Sequence, residues 1–140
     1  MTILDTNVLS EVMATSPSEA ALVWIARRQL ADELFITSIT VGEILYGIEL
    51  LPDGKRREKV NAEAEAMFAQ DFSDQILVFD EQAARAFAKI ASSRRKIGRP
   101  IAEFDAQIAA VASLHGAALA TRNTADFEGC GIRVVNPWVD

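Results

Sequence analysis

Met1-Thr2-Ile3-Leu4-Asp5-Thr6-Asn7 is the stretch on which the fold turns. Thr2, Ile3 and Leu4 form a short apolar run with β-branched members, which suits a buried strand. Asp5 stands where that run stops, and Thr6-Asn7 supplies the polar capping chemistry of a helix start. In open parallel α/β sheets, ligands bind just beyond the carboxyl ends of the strands. Asp5 therefore has two readings: a helix N-cap, or a catalytic or metal-binding acid.

The chain that follows repeats this alternation. Val8-Leu9-Ser10-Glu11-Val12-Met13 reads as a short one-sided helix. Ser16-Pro17-Ser18-Glu19 has the form of a capping box, and Ala21, Leu22, Trp24, Ile25 and Arg28 follow at helical spacing. Leu34 to Thr37 is a second strand. Thr40-Val41-Gly42-Glu43 is another capping-box pattern, ahead of an apolar stripe at Ile44, Leu45, Ile48 and Leu51. A structural role for Glu43 is thus specific: it reaches back to the backbone amide of Thr40. Pro52-Asp53-Gly54 is a turn signal. Lys55 to about Phe72 is a charged helical segment whose Lys55, Arg56, Arg57 and Lys59 oppose the helix macrodipole. That run is either a solvated face or a nucleic-acid contact.

Ile76 to Phe79 is a third strand candidate capped by Asp80, and Glu81 to Lys96 a helix with Ala83, Ala84, Phe87, Ile90 and Ala91 facing inward. Its basic end, Arg94-Arg95-Lys96, suits the negative helix terminus. The next helix, starting near Ala102, puts Asp105, Ile108, Ala109 and Ala112 on one face, and Gly116 ends it. Ala117 to Thr121 is a fourth strand, Arg122 to Phe127 a loop, and Ile132 to Val135 a fifth strand. Strands separated by helices predict a single α/β domain over residues 1–140. The expected form is a three-layer α/β/α domain with a mostly parallel sheet of about five strands.

Composition narrows the function. With 50% hydrophobic and 24% charged residues, the chain has a globular composition. No apolar run approaches the ~20 residues that span a bilayer, and no signal-peptide pattern opens the chain. Cys130, the only cysteine, excludes an internal disulfide and a cysteine-based zinc site. A cytoplasmic location is the expectation. The formal net charge of −6 argues against a general nucleic-acid coat protein, but not against an enzyme that meets nucleic acid through a metal and a local patch.

Four acids fall in comparable places. Asp5 follows the first strand, Asp126 lies in the loop after the fourth, and Glu43 and Asp105 sit in the first turns of helices beginning near Thr40 and Ala102. With right-handed crossovers, strand ends and helix starts converge on one edge of a parallel sheet. Four carboxylates crowded there need a counter-charge, and at least one should titrate high without it. Hard oxygen ligands favour Mg²⁺ or Mn²⁺ over zinc, which fits metal-assisted attack of water on a phosphodiester. His115, alone near a helix end, is left out of the chemistry.

Leu4-Asp5-Thr6-Asn7, Thr40-Val41-Gly42-Glu43, Phe104-Asp105-Ala106-Gln107-Ile108-Ala109-Ala110 and Thr121-Arg122-Asn123-Thr124-Ala125-Asp126-Phe127 resemble the signature blocks of PIN-domain ribonucleases. More narrowly, the chain resembles the VapC-type toxins of type II toxin–antitoxin modules, including the FitB-like group, down to the closing Asn136-Pro137-Trp138. The resemblance implies that Asp5, Glu43, Asp105 and Asp126 surround one or two Mg²⁺ or Mn²⁺ ions, and that Thr6, Asn7, Thr121 and Asn123 support the site or contact substrate. It further implies an endoribonuclease that forms a homodimer and is silenced by a small cognate antitoxin. The apolar residues of Val8–Met13 and Ala21–Ile25, with Trp24, are the expected interface.

Two other functions compete with this one. An aspartyl-phosphate phosphatase would use an acid ending strand one as nucleophile, but generally needs a second acid two residues on, where this chain has Asn7. A non-catalytic PIN module would act only as a toxin–antitoxin complex on DNA.

Overall fold

The computed structural model describes residues 1–140. Five strands, β1 (Thr2–Leu4), β2 (Leu34–Thr37), β3 (Ile76–Leu77), β4 (Ala118–Ala120) and β5 (Val134–Val135), alternate with helices. The helices are α1 (Thr6–Met13), α2 (Glu19–Ala31), α3 (Ser38–Glu49), α4 (Lys55–Gln70), α5 (Glu81–Lys96) and α6 (Glu103–His115), with a one-turn 3-10 helix at Thr124–Phe127. The strands form one sheet in the order β3-β2-β1-β4-β5, and every neighbouring pair is parallel. The chain thus winds outward from β1 through β2 to β3, then crosses back to lay β4 against the other side of β1. That reversal of winding puts a crevice beyond the carboxyl ends of β1 and β4.

Three layers follow from the period-2 alternation of strand side chains. Ile3, Phe35 and Leu119 face a core built with Ala83 of α5 and Ile108, Ala109 and Ala112 of α6. Their neighbours Leu4, Leu34, Ile36 and Ala120 face the opposite core, with Val8 and Leu9 of α1, Ile44 and Ile48 of α3, and Ala64, Met67 and Phe68 of α4. Buried on both faces, the inner strands β1, β2 and β4 need no polar side, which is why they read as largely apolar runs. Against α2 only Ala21 is fully enclosed; Leu22, Val23 and Leu30 remain exposed. No helix is long and apolar enough to cross a membrane.

Several element boundaries differ from the sequence expectation, each for a local reason. The second helix starts at Glu19, not after Ser16: Ser18 is the N-cap and its hydroxyl accepts from the Ala21 amide. The third starts at Ser38 because Thr37 caps it, accepting from the amide of Thr40. Thr40 is therefore inside the helix and Glu43 lies in its second turn, not its first. The third strand stops at Leu77, since Val78 is exposed and the Phe79 amide turns to the Ser38 hydroxyl. The fifth pairs only over Val134–Val135, although the Arg133 carbonyl still accepts from Leu119.

Gly116 ends α6 as the sequence predicts, at φ 62°. Nothing lies within 4 Å of where a Cβ would stand, so Gly116→Ala isolates the backbone cost of the left-handed conformation. The variant should lose about 1 kcal/mol in urea unfolding, with Gly116→Asn losing less. A neutral Gly116→Ala would show that this turn relaxes freely.

Candidate active site

Asp5 is the N-cap of α1 and also lines the cleft at the strand ends. Its Oδ1 accepts from the Thr6 amide at 2.8 Å, capping α1. Its Oδ2 accepts from the Thr121 hydroxyl at 2.8 Å and from Asn7 Nδ2 at 3.2 Å. The register makes this possible: Leu4 pairs with Ala120 across β1 and β4, and the Asp5 amide donates to the Ala120 carbonyl. Asp5 and Thr121 are the next residues along each strand. The Thr121 hydroxyl has one proton, given to Asp5, and accepts from Asn7 Nδ2 at 3.0 Å and from the Asn123 amide at 3.1 Å. Asn7 closes the loop by accepting from the Arg122 amide through Oδ1. Thr6, Asn7 and Thr121 thus hold acids through their side chains. Asn123 does so through its main chain while lining the cleft.

Glu43 does not reach back to Thr40. Its Oε1 accepts from the Thr6 hydroxyl at 2.8 Å, and Thr6 in turn lies 2.9 Å from the Thr40 hydroxyl. With the Thr6 proton on Glu43, the Thr40 hydroxyl donates to Thr6, and a hydroxyl row from α3 ends on a carboxylate. Asp105 occupies the third position of α6, half-buried. Asp126 is exposed on the 3-10 helix, where its carbonyl accepts from Arg94.

All four acids line one open cleft of about 450 Å³ at the carboxyl ends of β1 and β4. Glu11 is a fifth acid on its lining, and Arg122 the one basic side chain. His115 is exposed at the far end of α6, away from Asp105, and Glu103 does not line the cleft. The basic run of α4 is also elsewhere: Arg57 pairs with Glu49 and Asp53, and Lys59 with Glu63. Sequence reading passed over Glu11, Arg122 and Trp138 in the cleft, the Thr40 hydroxyl, and buried Arg94. Thr37 and Thr40, three apart at a helix start, were the available signal for the hydroxyl row.

Crowding and burial show in the acids' protonation. Burial pushes Asp5 above the usual carboxylate range, helped by the charge of Asp126, although the bonds from Thr121, Thr6 and Asn7 pull the other way. Burial also raises Glu43, aided by Asp5 and opposed by Thr6. Asp105 is pushed up to about 6 by burial and then by Asp5, Asp126 and Glu43, with no hydrogen bond to offset them. As they stand, no three of these groups are gathered closely enough to hold a metal ion between them. An all-oxygen donor set of this kind suits a hard divalent cation such as Mg²⁺ or Mn²⁺.

The chain is also similar to known proteins. The PIN domain family model matches residues 2–129. VapC ribonuclease Y4jK of Sinorhizobium fredii is 37% identical over 138 residues, 99% of this chain and 98% of its own. Toxin FitB of Neisseria gonorrhoeae is 37% identical over 140 residues, covering both chains completely at 100%. Among solved structures, FitAcB from Neisseria gonorrhoeae matches with a TM-score of 0.92 at 36% identity, over 100% of each chain. FitAB bound to an IR36 DNA fragment matches at 0.91 and 37%, over 99% of this chain and 96% of that one.

A raised folded-state pKa means that Asp105 ionises on unfolding more readily than in the folded protein. Its contribution to folding is thus most favourable below about pH 4, is lost as pH rises through about 6, and stays lost above. In EDTA at pH 8, Asp105→Asn should melt above wild type, after solvent screening by on the order of 1 kcal/mol or roughly 3 °C. The difference should vanish near pH 4. Thermal melts across that range check it, and equal midpoints at pH 8 would count against like-charge crowding.

Proposed function

The chain belongs to the PIN-domain family, and from that premise we propose that it is a metal-dependent endoribonuclease, the toxin of a toxin–antitoxin module. The observation that carries this reading is the meeting of Asp5, Glu43, Asp105 and Asp126 in one cleft from four separate parts of the chain. These four would hold Mg²⁺ or Mn²⁺. When bound, such an ion makes water a better nucleophile at neutral pH and neutralises charge that develops on the phosphodiester. The protein's own part is orientation. Thr121 and Asn7 fix the Asp5 carboxylate, Thr6 fixes that of Glu43, and helix α6 presents Asp105. Arg122 lies over the Trp138 ring, 5.0 Å from its centroid, and as the cleft's one cation it is the group suited to a flanking phosphate.

The phosphatase alternative has no second acid: Asn7, at the required spacing, is a neutral donor to Asp5. A role on DNA as part of a complex draws support from the DNA-bound FitAB relative. It is compatible with catalysis, since the acidic cleft itself repels a bare duplex.

The partners follow from the same premise: a homodimer and a cognate antitoxin. Leu22, Val23 and Leu30 of α2 and Val139 expose apolar surface. The groove lined by Val23, Trp24 and Arg27 shares Trp138 with the acidic cleft. An antitoxin segment laid along that groove reaches the carboxylates, where a basic side chain would take the place of the metal.

Three expectations test the reading. Mn²⁺ at a hundred times its Kd should stabilise the wild type by about 2.7 kcal/mol over EDTA, and Asp5→Asn and Asp105→Asn should gain less. Both variants should lose cleavage of a mixed RNA substrate by roughly 100-fold or more, the scale expected when a preorganised charged group is removed. Melting curves indifferent to metal, or full cleavage by Asp105→Asn, would overturn the proposal. Sedimentation should give a dimer at micromolar concentration; a monomer that recovers no small protein partner from its host would remove the assembly from it.

A further inference from the structure

Arg94 is buried, 4% exposed, yet sits in the basic run that ends α5 beside exposed Arg95 and Lys96. A buried guanidinium ordinarily faces a carboxylate. None of the chain's ion pairs involves Arg94. Its donors go instead to main-chain carbonyls and a thiol: Nε to the Arg99 carbonyl at 2.8 Å, Nη1 to the Asp126 carbonyl at 2.7 Å, and Nη1 to Cys130 Sγ at 3.4 Å.

Asp126 is the acid with the least scaffold of its own. Asp5 ends a strand in the middle of the sheet, and Glu43 and Asp105 ride on long helices, whereas Asp126 is carried by a single 3-10 turn. Within that turn the Asp126 amide bonds the Asn123 carbonyl, and Phe127 is enclosed in the core at 1% exposure. The remaining hold on the residue is Arg94. A shift of Asp126 away from its place would leave a buried charge without its shortest hydrogen bond, and such groups are costly to strand. The planar fork spans the Arg99 and Asp126 carbonyls at once, which a lysine ammonium on its flexible stem does not reproduce.

We propose that Arg94 is a positioning residue for Asp126: it fixes from behind how the fourth acid enters the cleft, and so sets the site's affinity for a divalent cation. This rests on the metal-dependent reading above. Arg94 itself touches neither substrate nor metal; it does not line the cleft.

The test is a double-mutant cycle read by Mn²⁺ binding, followed by electron paramagnetic resonance of the free ion, on wild type, Arg94→Lys, Asp126→Asn and the double variant, each checked for cooperative melting in EDTA. Arg94→Lys should weaken Mn²⁺ binding about tenfold in the wild-type background, the low end for a residue that orients a metal ligand. It should do almost nothing in the Asp126→Asn background, because the effect runs through that carboxylate. Equal losses in both backgrounds would mean that Arg94 serves only general stability, and no loss in either would mean that Asp126 holds its own place; both overturn the proposal. A wild type that binds no Mn²⁺ overturns the metal reading itself, a distinct result. Should Arg94→Lys fail to fold, the wild type alone decides by nuclear magnetic resonance. Mg²⁺ should shift the Arg94 Nε–H signal at the same concentration that moves the Asp126 amide, and an Arg94 signal indifferent to Mg²⁺ rejects the coupling.

Discussion

The hydrogen bond from the Thr121 hydroxyl to Asp5 joins the two strand ends on which the rest of the site hangs. It exists because β4 returns to pair with β1 in a register that makes residues 5 and 121 neighbours. At that point the sheet's winding reverses, its carboxyl edge opens, and the amides and carbonyls of the strands are already satisfied by one another. Side chains at the edge are therefore free to serve chemistry. The cost is a carboxylate buried at 4% exposure, tolerable because both of its oxygens accept hydrogen bonds.

What surrounds the acids matters as much as the acids. The direct partners of Asp5 and Glu43 are threonine hydroxyls, an asparagine amide and one main-chain amide, all neutral. No lysine or arginine side chain pairs with Asp5, Glu43, Asp105 or Asp126. Neutral donors orient a carboxylate without cancelling its charge, so the like-charge repulsion survives folding. Had Arg122 been turned onto Asp5 rather than onto Trp138, the site would have neutralised itself.

The parts of this arrangement that sequence could reveal are those governed by local rules. A short apolar run ending in an acid, repeated helix-start signals, and glycine after the last apolar position of α6 were enough for the parallel α/β fold and for the segments that hold all four acids. Cap assignment was harder. Thr40 and Glu43 have capping-box spacing, but Thr37 three residues earlier competes for the same amide and wins, because β2 delivers it in extended conformation. Glu43 was thereby released to Thr6, thirty-seven residues away in sequence. Arg94 was read as a helix-end charge because nothing local distinguishes it from Arg95. Its burial is decided by the 3-10 turn folding over it from far along the chain. Long-range pairing of this sort leaves no periodic trace.

The strand order has a consequence in time. β1 precedes its partner β4 and the Asp126 turn by most of the described elements. Asp5 cannot acquire its Thr121 bond, nor the cleft its fourth acid, until β4 and the Asp126 turn have been made. Non-local parallel pairing is also slow to form. The cleft is thus incomplete until residues 116 positions apart in the chain have met, whatever else has already folded.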